Sequence, residues 1–506
     1  METIHHLIVG IGVTIQPFSL LMMFLGLVLG LAVGVLPGLG GTAGVALLLP
    51  VTVLVPKEVA IIFLAAIYWG ALFGGVITSV LFAIPGEPWS VALIFDGYPM
   101  AKERKKPGLA LALSFFSSFV GIMVAAVFFT SLALPLALIA LKFGPPEMFG
   151  IMMIAFSTFV GLGTGDPTKT LVCTLFGLLL TMVGLDIVTG GPRLTFGMLS
   201  WLNGFHFVPV TIGMFGLGEI MIDGETRFED QITERIKAKI GLQDLKEGFR
   251  ETRKHFVLTV ASAAMGFFVG VLPGTGATPA SFLGYGIAKQ YSKEPEKYGT
   301  GCVEGILAPQ AAANSAGAGA LLPLVTLGIP GSPTAAVLLS GLYMWGLWPG
   351  PRLFIDEPRF VWGLIASLFV AGAMCLVICL TSVPALAAIM TIPWGMLTPV
   401  IVVACFVGSY VMRNVMFDVW CTLIFGGIGY ILKKTKYPLA PLAVAIVLGE
   451  MTETFLRQSL IMSDGDMMIL LGPQRPLAMV FMWVAIALFL FPVYKWLRSK
   501  KKTAKA

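Results

Sequence analysis

One short string, Gly-Val-Leu-Pro-Gly-x-Gly, occurs twice in this 506-residue chain and constrains its fold more than any other feature. The first copy reads Gly34-Val35-Leu36-Pro37-Gly38-Leu39-Gly40-Gly41-Thr42. The second begins 236 residues later and reads Gly270-Val271-Leu272-Pro273-Gly274-Thr275-Gly276-Ala277-Thr278. Each copy interrupts a long apolar run. Proline removes a backbone donor and glycine loosens the helical dihedrals, so each copy leaves N–H and C=O groups without intrahelical partners. In hydrocarbon such groups are tolerated only where they are buried in protein or line a cavity. Paired breaks at corresponding places in two halves of a membrane chain point to a transporter's binding region.

Composition places those runs in a membrane. The chain is 57% hydrophobic and 12% charged, about half the charge of a soluble protein, and its mean hydropathy is +0.91. Apolar runs long enough to span a bilayer recur along most of the length. Strict period-two alternation is absent, which argues against a β-barrel. The net charge of +6 is gathered in a few loops, a pattern that sets topology and not nucleic-acid binding. The six cysteines lie in or beside apolar segments without a C-x-x-C pair. They read as small packing residues, not disulfides or metal ligands. The first apolar segment, about 15–36, has no basic leader and no clear cleavage site, so it is expected to be retained.

Basic clusters mark the cytoplasmic loops. They are Lys102 to Lys106, the polar stretch 223–254, Lys289 to Lys297, Lys433 to Lys436, and the tail with Lys495, Arg498, Lys500, Lys501, Lys502 and Lys505. One threading puts them all on one side. A hairpin at 15–55 enters and returns on the outside, and a broken crossing at 59–100 reaches the cytoplasm. Spans follow at 109–141, 147–165, 170–190 and 196–221. A second hairpin, 255–288, has both ends in the cytoplasm. A broken crossing at 302–348 leads out, and spans at 359–391, 394–411, 414–432, 439–460 and 478–496 complete the chain.

The two hairpins then enter from opposite faces, which predicts an inverted repeat. Shorter matches keep the same order: Ile84-Pro85-Gly86 with Ile329-Pro330-Gly331, Tyr98 with Tyr343, and Leu217-Gly218-Glu219 with Leu448-Gly449-Glu450. The expected fold is an all-α polytopic membrane protein with two inverted-topology repeats. Each repeat has a re-entrant hairpin and broken helices, with about 12 membrane segments in all. The divisions are 1–222 (first repeat), 223–254 (cytoplasmic polar connector), 255–477 (second repeat) and 478–506 (last transmembrane helix and basic cytoplasmic tail).

The broken segments carry the candidate site. Helix amino termini at a hairpin tip carry partial positive charge and attract anions. Free carbonyls and hydroxyls suit a hard cation. This nominates Pro37, Gly38, Gly40, Gly41 and Thr42 at one tip, and Pro273, Gly274, Thr275, Gly276 and Thr278 at the other. Sodium is a candidate ion near Gly38 to Thr42 and near Gly274 to Thr278. Ser281 adds a hydroxyl close by. The alternative for either tip is a kinked, tightly packed helix without a ligand. The second pair of breaks adds Thr78 and Ser79 before Pro85, and Pro330, Gly331 and Ser332. Asn314 and Ser315 lie inside an apolar segment, where an amide is costly unless partnered; helix–helix bonding and ligand contact are the two readings. The acids near spans are Glu87, Asp96, Asp186, Glu219, Asp418 and Glu450. Lys169, Arg193, Arg413 and Arg457 are placed to snorkel.

Enzyme motifs are poor. Gly38-x-Gly40-x-x-Ala43 echoes a dinucleotide loop but follows no strand. Gly163-Thr164-Gly165-Asp166 spells the G-x-G-D of intramembrane aspartyl proteases, yet no second aspartate motif accompanies it, and Asp166-Pro167 reads as a turn. No Walker A, H-E-x-x-H or G-x-S-x-G string occurs. The expectation is therefore a non-enzyme without a cofactor, driven by a gradient or by another subunit. A permease or channel for another small solute is the alternative, and an intramembrane aspartyl protease a remote one.

The paired G-V-L-P-G-x-G strings, the Ile-Pro-Gly breaks, Ser340-Gly341-Leu342-Tyr343 with the following Pro349-Gly350-Pro351, and the length resemble the large membrane subunit of tripartite tricarboxylate transporters, the TctA family, over essentially the whole chain. The resemblance implies a multi-pass protein of the bacterial inner membrane with its C-terminus in the cytoplasm. It implies import of a carboxylate such as citrate, together with a small membrane subunit and a periplasmic solute-binding protein. The coupling ion would be sodium or a proton. No nucleic-acid partner is implied.

Overall fold

The computed structural model describes residues 2–36, 40–162, 166–186, 190–225, 239–389 and 394–503. Helices make up most of it. The first half contains α1 (Glu2–Thr14), α2 (Pro17–Val35), α3 (Gly40–Leu48), α4 (Lys57–Phe82), α5 (Val91–Lys102), α6 (Pro107–Ala140), α7 (Pro145–Leu162), α8 (Pro167–Thr181), α9 (Phe207–Thr211) and α10 (Gly218–Asp223). The second contains α11 (Leu242–Lys254), α12 (Phe256–Val271), α13 (Ala277–Tyr291), α14 (Glu304–Gly319), α15 (Leu321–Leu327), α16 (Pro333–Met344), α17 (Leu353–Asp356), α18 (Pro358–Ile389), α19 (Trp394–Arg413), α20 (Met416–Lys434), α21 (Leu439–Met462), α22 (Met468–Leu471) and α23 (Pro476–Thr503). Many of them open on proline, which fits the first helical position because the N–H it lacks has no partner there. Among the described residues, the strands are one short antiparallel pair, Gly184–Leu185 with Pro192–Arg193.

Six described helices, α2, α4, α6, α18, α20 and α21, are long and apolar enough to cross a bilayer, and the bent pair α11 and α12 would make a seventh. Shorter apolar helices accompany them, including α3, α8 and α16. The chain is a multi-pass helical membrane protein. Apolar side chains such as Phe24 and Val28 of α2, Val403 and Val407 of α19, and Trp420 and Ile424 of α20 point outward, as lipid contact requires. All six cysteines are buried and free.

The centre is formed by the helices that lead into the Ile-Pro-Gly breaks. α4 is buried from Val59 to Leu81, and α14 from Gly305 to Gly319. α2 lies along α4 and α12 along α14 with their backbones in contact. A Cβ on Gly34 would collide with the carbonyl of Ala71, and one on Gly270 with the carbonyl of Ala316. Such close approach of small residues is how membrane helices gain packing energy when lipid supplies no hydrophobic drive.

Parts of the fold differ from the sequence expectation or lie outside it. The helix of the span expected at 170–190 ends at Thr181 and gives way to the strand Gly184–Leu185. The span expected at 196–221 begins only at Phe207, after a turn at Gly204 (φ 64°), and contains a π-helical stretch, Ile212–Leu217. The polar connector 223–254 holds a helix, α11. Its buried Gly248 rests against Ala112 of α6, and Phe249 meets Phe116 edge-on at 5.9 Å. α1 lacks a long apolar run. It lies against α18, with His6 stacked 5.5 Å from Trp362 and Thr14 Oγ1 donating to Gly363 O at 3.2 Å.

An ion network ties the strand pair to α21. Arg193 Nη1 lies 2.6 Å from Glu453 Oε1 and 3.3 Å from Asp186 Oδ2, while Arg457 Nη2 lies 2.6 Å from Glu453 Oε1 and 2.7 Å from Asp186 Oδ2. Replacing Glu453 by alanine leaves both guanidiniums without one acceptor. The expected result is a lower midpoint of thermal unfolding in detergent. An unchanged midpoint would mean that water replaces the carboxylate without loss.

Candidate functional site

The two Ile-Pro-Gly breaks are built alike. α4 ends at Ala83 in the left-handed conformation, and α15 ends at Gly328 in the same one. Such a residue satisfies the last helical carbonyls and turns the chain out of the helix. Proline then forbids a restart until the segment has crossed to the neighbouring tip. A Cβ on Gly86 would sit 2.5 Å from Gly34 O, and one on Gly331 would sit 2.5 Å from Gly270 O. In the second half the Gly274 N–H donates to Gly331 O at 3.1 Å. Each break therefore packs onto the tip of its own hairpin.

Between the tips lies a cavity of about 310 Å³. Its lining includes Thr42, Tyr68, Leu72, Glu87, Trp89, Thr170, Phe215, the run Gly274 to Thr278, Ser332 and Thr334. The halves touch here through hydroxyls. Thr42 Oγ1 and Thr334 Oγ1 are 2.9 Å apart, and Tyr68 Oη and Ser332 Oγ are 3.4 Å apart. Ser332 also caps α16 by accepting from Ala335 N at 3.2 Å. Glu87 accepts a hydrogen bond from the Gly41 N–H at the start of α3. Among the described residues lining the cavity it is the one charged side chain, and no lysine or arginine is present.

The second tip presents donors. Gly276 (φ 61°) precedes α13, a conformation that strains any residue with a side chain, and no side chain caps this helix. Among the described residues the N–H groups of Gly276, Ala277 and Thr278 find no acceptor. The 15-residue α13 adds the partial positive charge of its amino terminus. The arrangement can hold an anion by backbone donors without a basic side chain.

The cavity unites part of the sequence-nominated set. Thr42, Gly274, Thr275, Gly276, Thr278 and Ser332 line it. Gly40 and Gly41 stand behind Thr42 against Glu87. Pro273 is in the second tip, outside the lining, and Pro330 and Gly331 are buried behind Ser332. Pro37 and Gly38 lie outside the described residues. Thr78 and Ser79 are buried and donate to Gly75 O at 3.2 and 2.8 Å. They hold the end of α4 and do not face the cavity. Asn314 is also away from it. Its Nδ2 donates to Ser118 Oγ at 3.2 Å, beside Gln310 Nε2 at 2.7 Å from the same oxygen, so these amides join α14 to α6. Ser315 and Ser281 are buried, with hydroxyls that have no partner among the described residues. Of the acids, Glu450 borders a separate cavity of about 280 Å³ with Arg193 and Glu453, and the side chain of Glu219 lies outside the described residues. Asp166 is exposed and caps α8, accepting from Thr168 N at 2.8 Å. The adjoining residues 163–165 lie outside the described set. Among the described residues no group of three or more His, Cys, Asp or Glu side chains is arranged to hold a metal ion.

Glu87, Tyr68, Trp89, Thr170, Phe215 and Thr334 join the site without having been nominated for it. Glu87, noted in the sequence only as an acid near a span, follows Pro85-Gly86 directly, and Thr334 comes just after Pro330-Gly331-Ser332-Pro333, so both were within reach of a local reading. Tyr68 and Phe215 lie mid-helix among other apolar residues, and nothing local marks them.

Comparison with known proteins agrees with this architecture. The model of the tripartite tricarboxylate transporter TctA family matches residues 20–444, which include both tips and both Ile-Pro-Gly breaks. A protein of Agrobacterium vitis, described as an uncharacterized 52.8 kDa protein in the TAR-I ttuC' 3' region, is 35% identical over 501 residues, covering 99% of this chain and 98% of that one. A second from the same organism, in the TAR-II ttuC' 3' region, is 34% identical over 236 residues, covering 47% of this chain and 97% of its own. No solved structure matches significantly. A family match that runs through every element of the cavity, and a relative alike from end to end, leave one conclusion: the chain belongs to the tripartite tricarboxylate transporter TctA family.

Proposed function

We propose that this membrane subunit imports a di- or tricarboxylate such as citrate across the bacterial inner membrane, binding one substrate carboxylate at the open tip of α13. The observation that carries the reading is the set of unpaired N–H groups at Gly276, Ala277 and Thr278, facing a cavity closed by hydroxyls from both halves. A periplasmic solute-binding protein delivers the substrate, and a small membrane subunit completes the complex. Both partners follow from the tripartite family and not from a surface of this chain. A sodium or proton gradient drives uptake, with the sodium option seated at the tips, near Gly38 to Thr42 or Gly274 to Thr278. The C-terminus and the connector 223–254 lie in the cytoplasm, where their basic residues belong.

The proposed division into inverted repeats, 1–222 and 255–477, is supported by recurring contacts. Besides Gly34 with Ala71 and Gly270 with Ala316, a Cβ on Gly30 would strike Ile67, and one on Gly266 would strike Ala312. Every pair maps onto its counterpart with constant offsets, 236 residues in the hairpin and 245 in the broken crossing, and so does the pair Gly86 with Gly34 and Gly331 with Gly270. The count of about 12 membrane segments belongs to the same proposal.

The test is carboxylate uptake into proteoliposomes by the reconstituted complex. Gly276→Val adds a side chain to a left-handed position at the mouth of the donor set, and Gly40→Val does the same at the first tip. Each is expected to lower uptake at least tenfold while the protein elutes as wild type. Full uptake by both variants would refute the site.

A further inference from the structure

The two tips share a plan and differ at one position, which bears on substrate choice within the transport reading above. Glu87 follows Pro85-Gly86 where Ser332 follows Pro330-Gly331. Both have the same extended backbone, φ −139° and ψ 161° for Glu87, φ −147° and ψ 164° for Ser332. Both lie against the positive-φ glycine that opens the tip helix. A Cβ on Gly40 would be 3.3 Å from Glu87 Cγ, and one on Gly276 would be 3.4 Å from Ser332 Cβ. What differs is the group offered to the helix amino terminus. At α3 the Glu87 carboxylate takes the Gly41 N–H. At α13 the serine turns to cap α16, and the N–H groups of the tip stay open. Trp89 lines the same cavity, is 1% exposed, and turns its indole N–H toward the Glu87 carboxylate.

We propose that Glu87 is a specificity-determining residue, an internal carboxylate that fills the first tip as a substrate carboxylate fills the second. Ionised, Glu87 brings a negative charge into the cavity beside the substrate, held by the Gly41 N–H at the amino terminus of α3, and no lysine or arginine in the lining offsets it. Each further carboxylate on the substrate meets that charge across a cavity of about 310 Å³ walled by protein, where like charges repel more strongly than in bulk water. Glu87 thereby sets how many carboxylates the site accepts. Glu87→Gln keeps the shape and the acceptor for Gly41 and removes the charge.

The experiment compares binding of succinate, with two carboxyl groups, and citrate, with three, to the full chain in detergent. Calorimetry is run at one pH where both ligands are fully ionised. The expected result is that Glu87→Gln tightens citrate relative to succinate at least tenfold, with wild-type elution on size exclusion. Glu87→Ser, which copies the second tip, is expected to do the same and serves if the glutamine variant fails to fold. A smaller change in the citrate-to-succinate ratio overturns the proposal. Loss of all binding in both variants also overturns it, because a residue that only excludes charge is not needed to hold substrate. Failure of the wild-type chain to bind either carboxylate overturns the transport reading itself, and this proposal with it.

Discussion

Asp96→Ala is expected to lower the thermal unfolding midpoint of this protein sharply. Asp96 is fully buried on α5. Its Oδ1 accepts from the N–H groups of Gly299, Gly301 and Cys302 at 2.9, 2.8 and 2.8 Å, and its Oδ2 accepts from Tyr285 Oη at 3.0 Å. One carboxylate of the first half thus organises the turn between α13 and α14 in the second. Alanine orphans three backbone donors and a phenol together, at about 1–3 kcal/mol for each buried group left unsatisfied. No neighbour can fill in, because Gly305 packs directly on the carboxylate. Asp96→Asn keeps one carbonyl acceptor and should fall between alanine and wild type. The measurement is the thermal unfolding midpoint in detergent, with size-exclusion recovery. An Asp96→Ala midpoint within about 2 °C of wild type, less than the shift from 1 kcal/mol in a mid-sized domain, would show that the turn holds itself.

Valine at Gly34 or Gly270 comes next. Each substitution drives a branched side chain into a backbone carbonyl of the adjoining helix, Ala71 or Ala316. A backbone cannot step aside as a side chain can, so α2 would have to separate from α4, or α12 from α14. Each of these glycines also carries the oxygen against which Gly86 or Gly331 rests, so the hairpin and the break behind the cavity move together. Overpacking of a rigid core costs about 1–3 kcal/mol and more where relaxation is blocked. The expected outcome is little or no monodisperse protein from either variant. Gly286→Ala, where a Cβ meets nothing within 4 Å, should purify as wild type. Normal yields of both valine variants would mean that the helices are less closely applied than their backbones indicate.

The residues themselves determined the class of the protein. Charge scarcity and long apolar runs leave helices in a bilayer as the one arrangement that satisfies the backbone. Proline and glycine act locally, so the ends of α4 and α15 and the turn at the second tip could be read at their own positions. The family resemblance, carried by those same strings, was legible for the same reason. Thr42, Thr275 and Ser332 could be nominated because each adjoins a break.

The tertiary structure decided which polar groups face one another. Thr78, Ser79 and Asn314 looked as eligible as Thr42, but a helix presents each side chain in one direction only. Theirs turn to Gly75 and Ser118. Tyr68 and Phe215 reach the cavity across sequence distances that no local pattern encodes. Whether Glu87 served a loop, an interface or a site depended on where the first tip folded back, and only the contact with Gly41 fixed that. Local backbone chemistry is written in adjacent residues; the direction of a side chain and its distant partner are set by how helices pack.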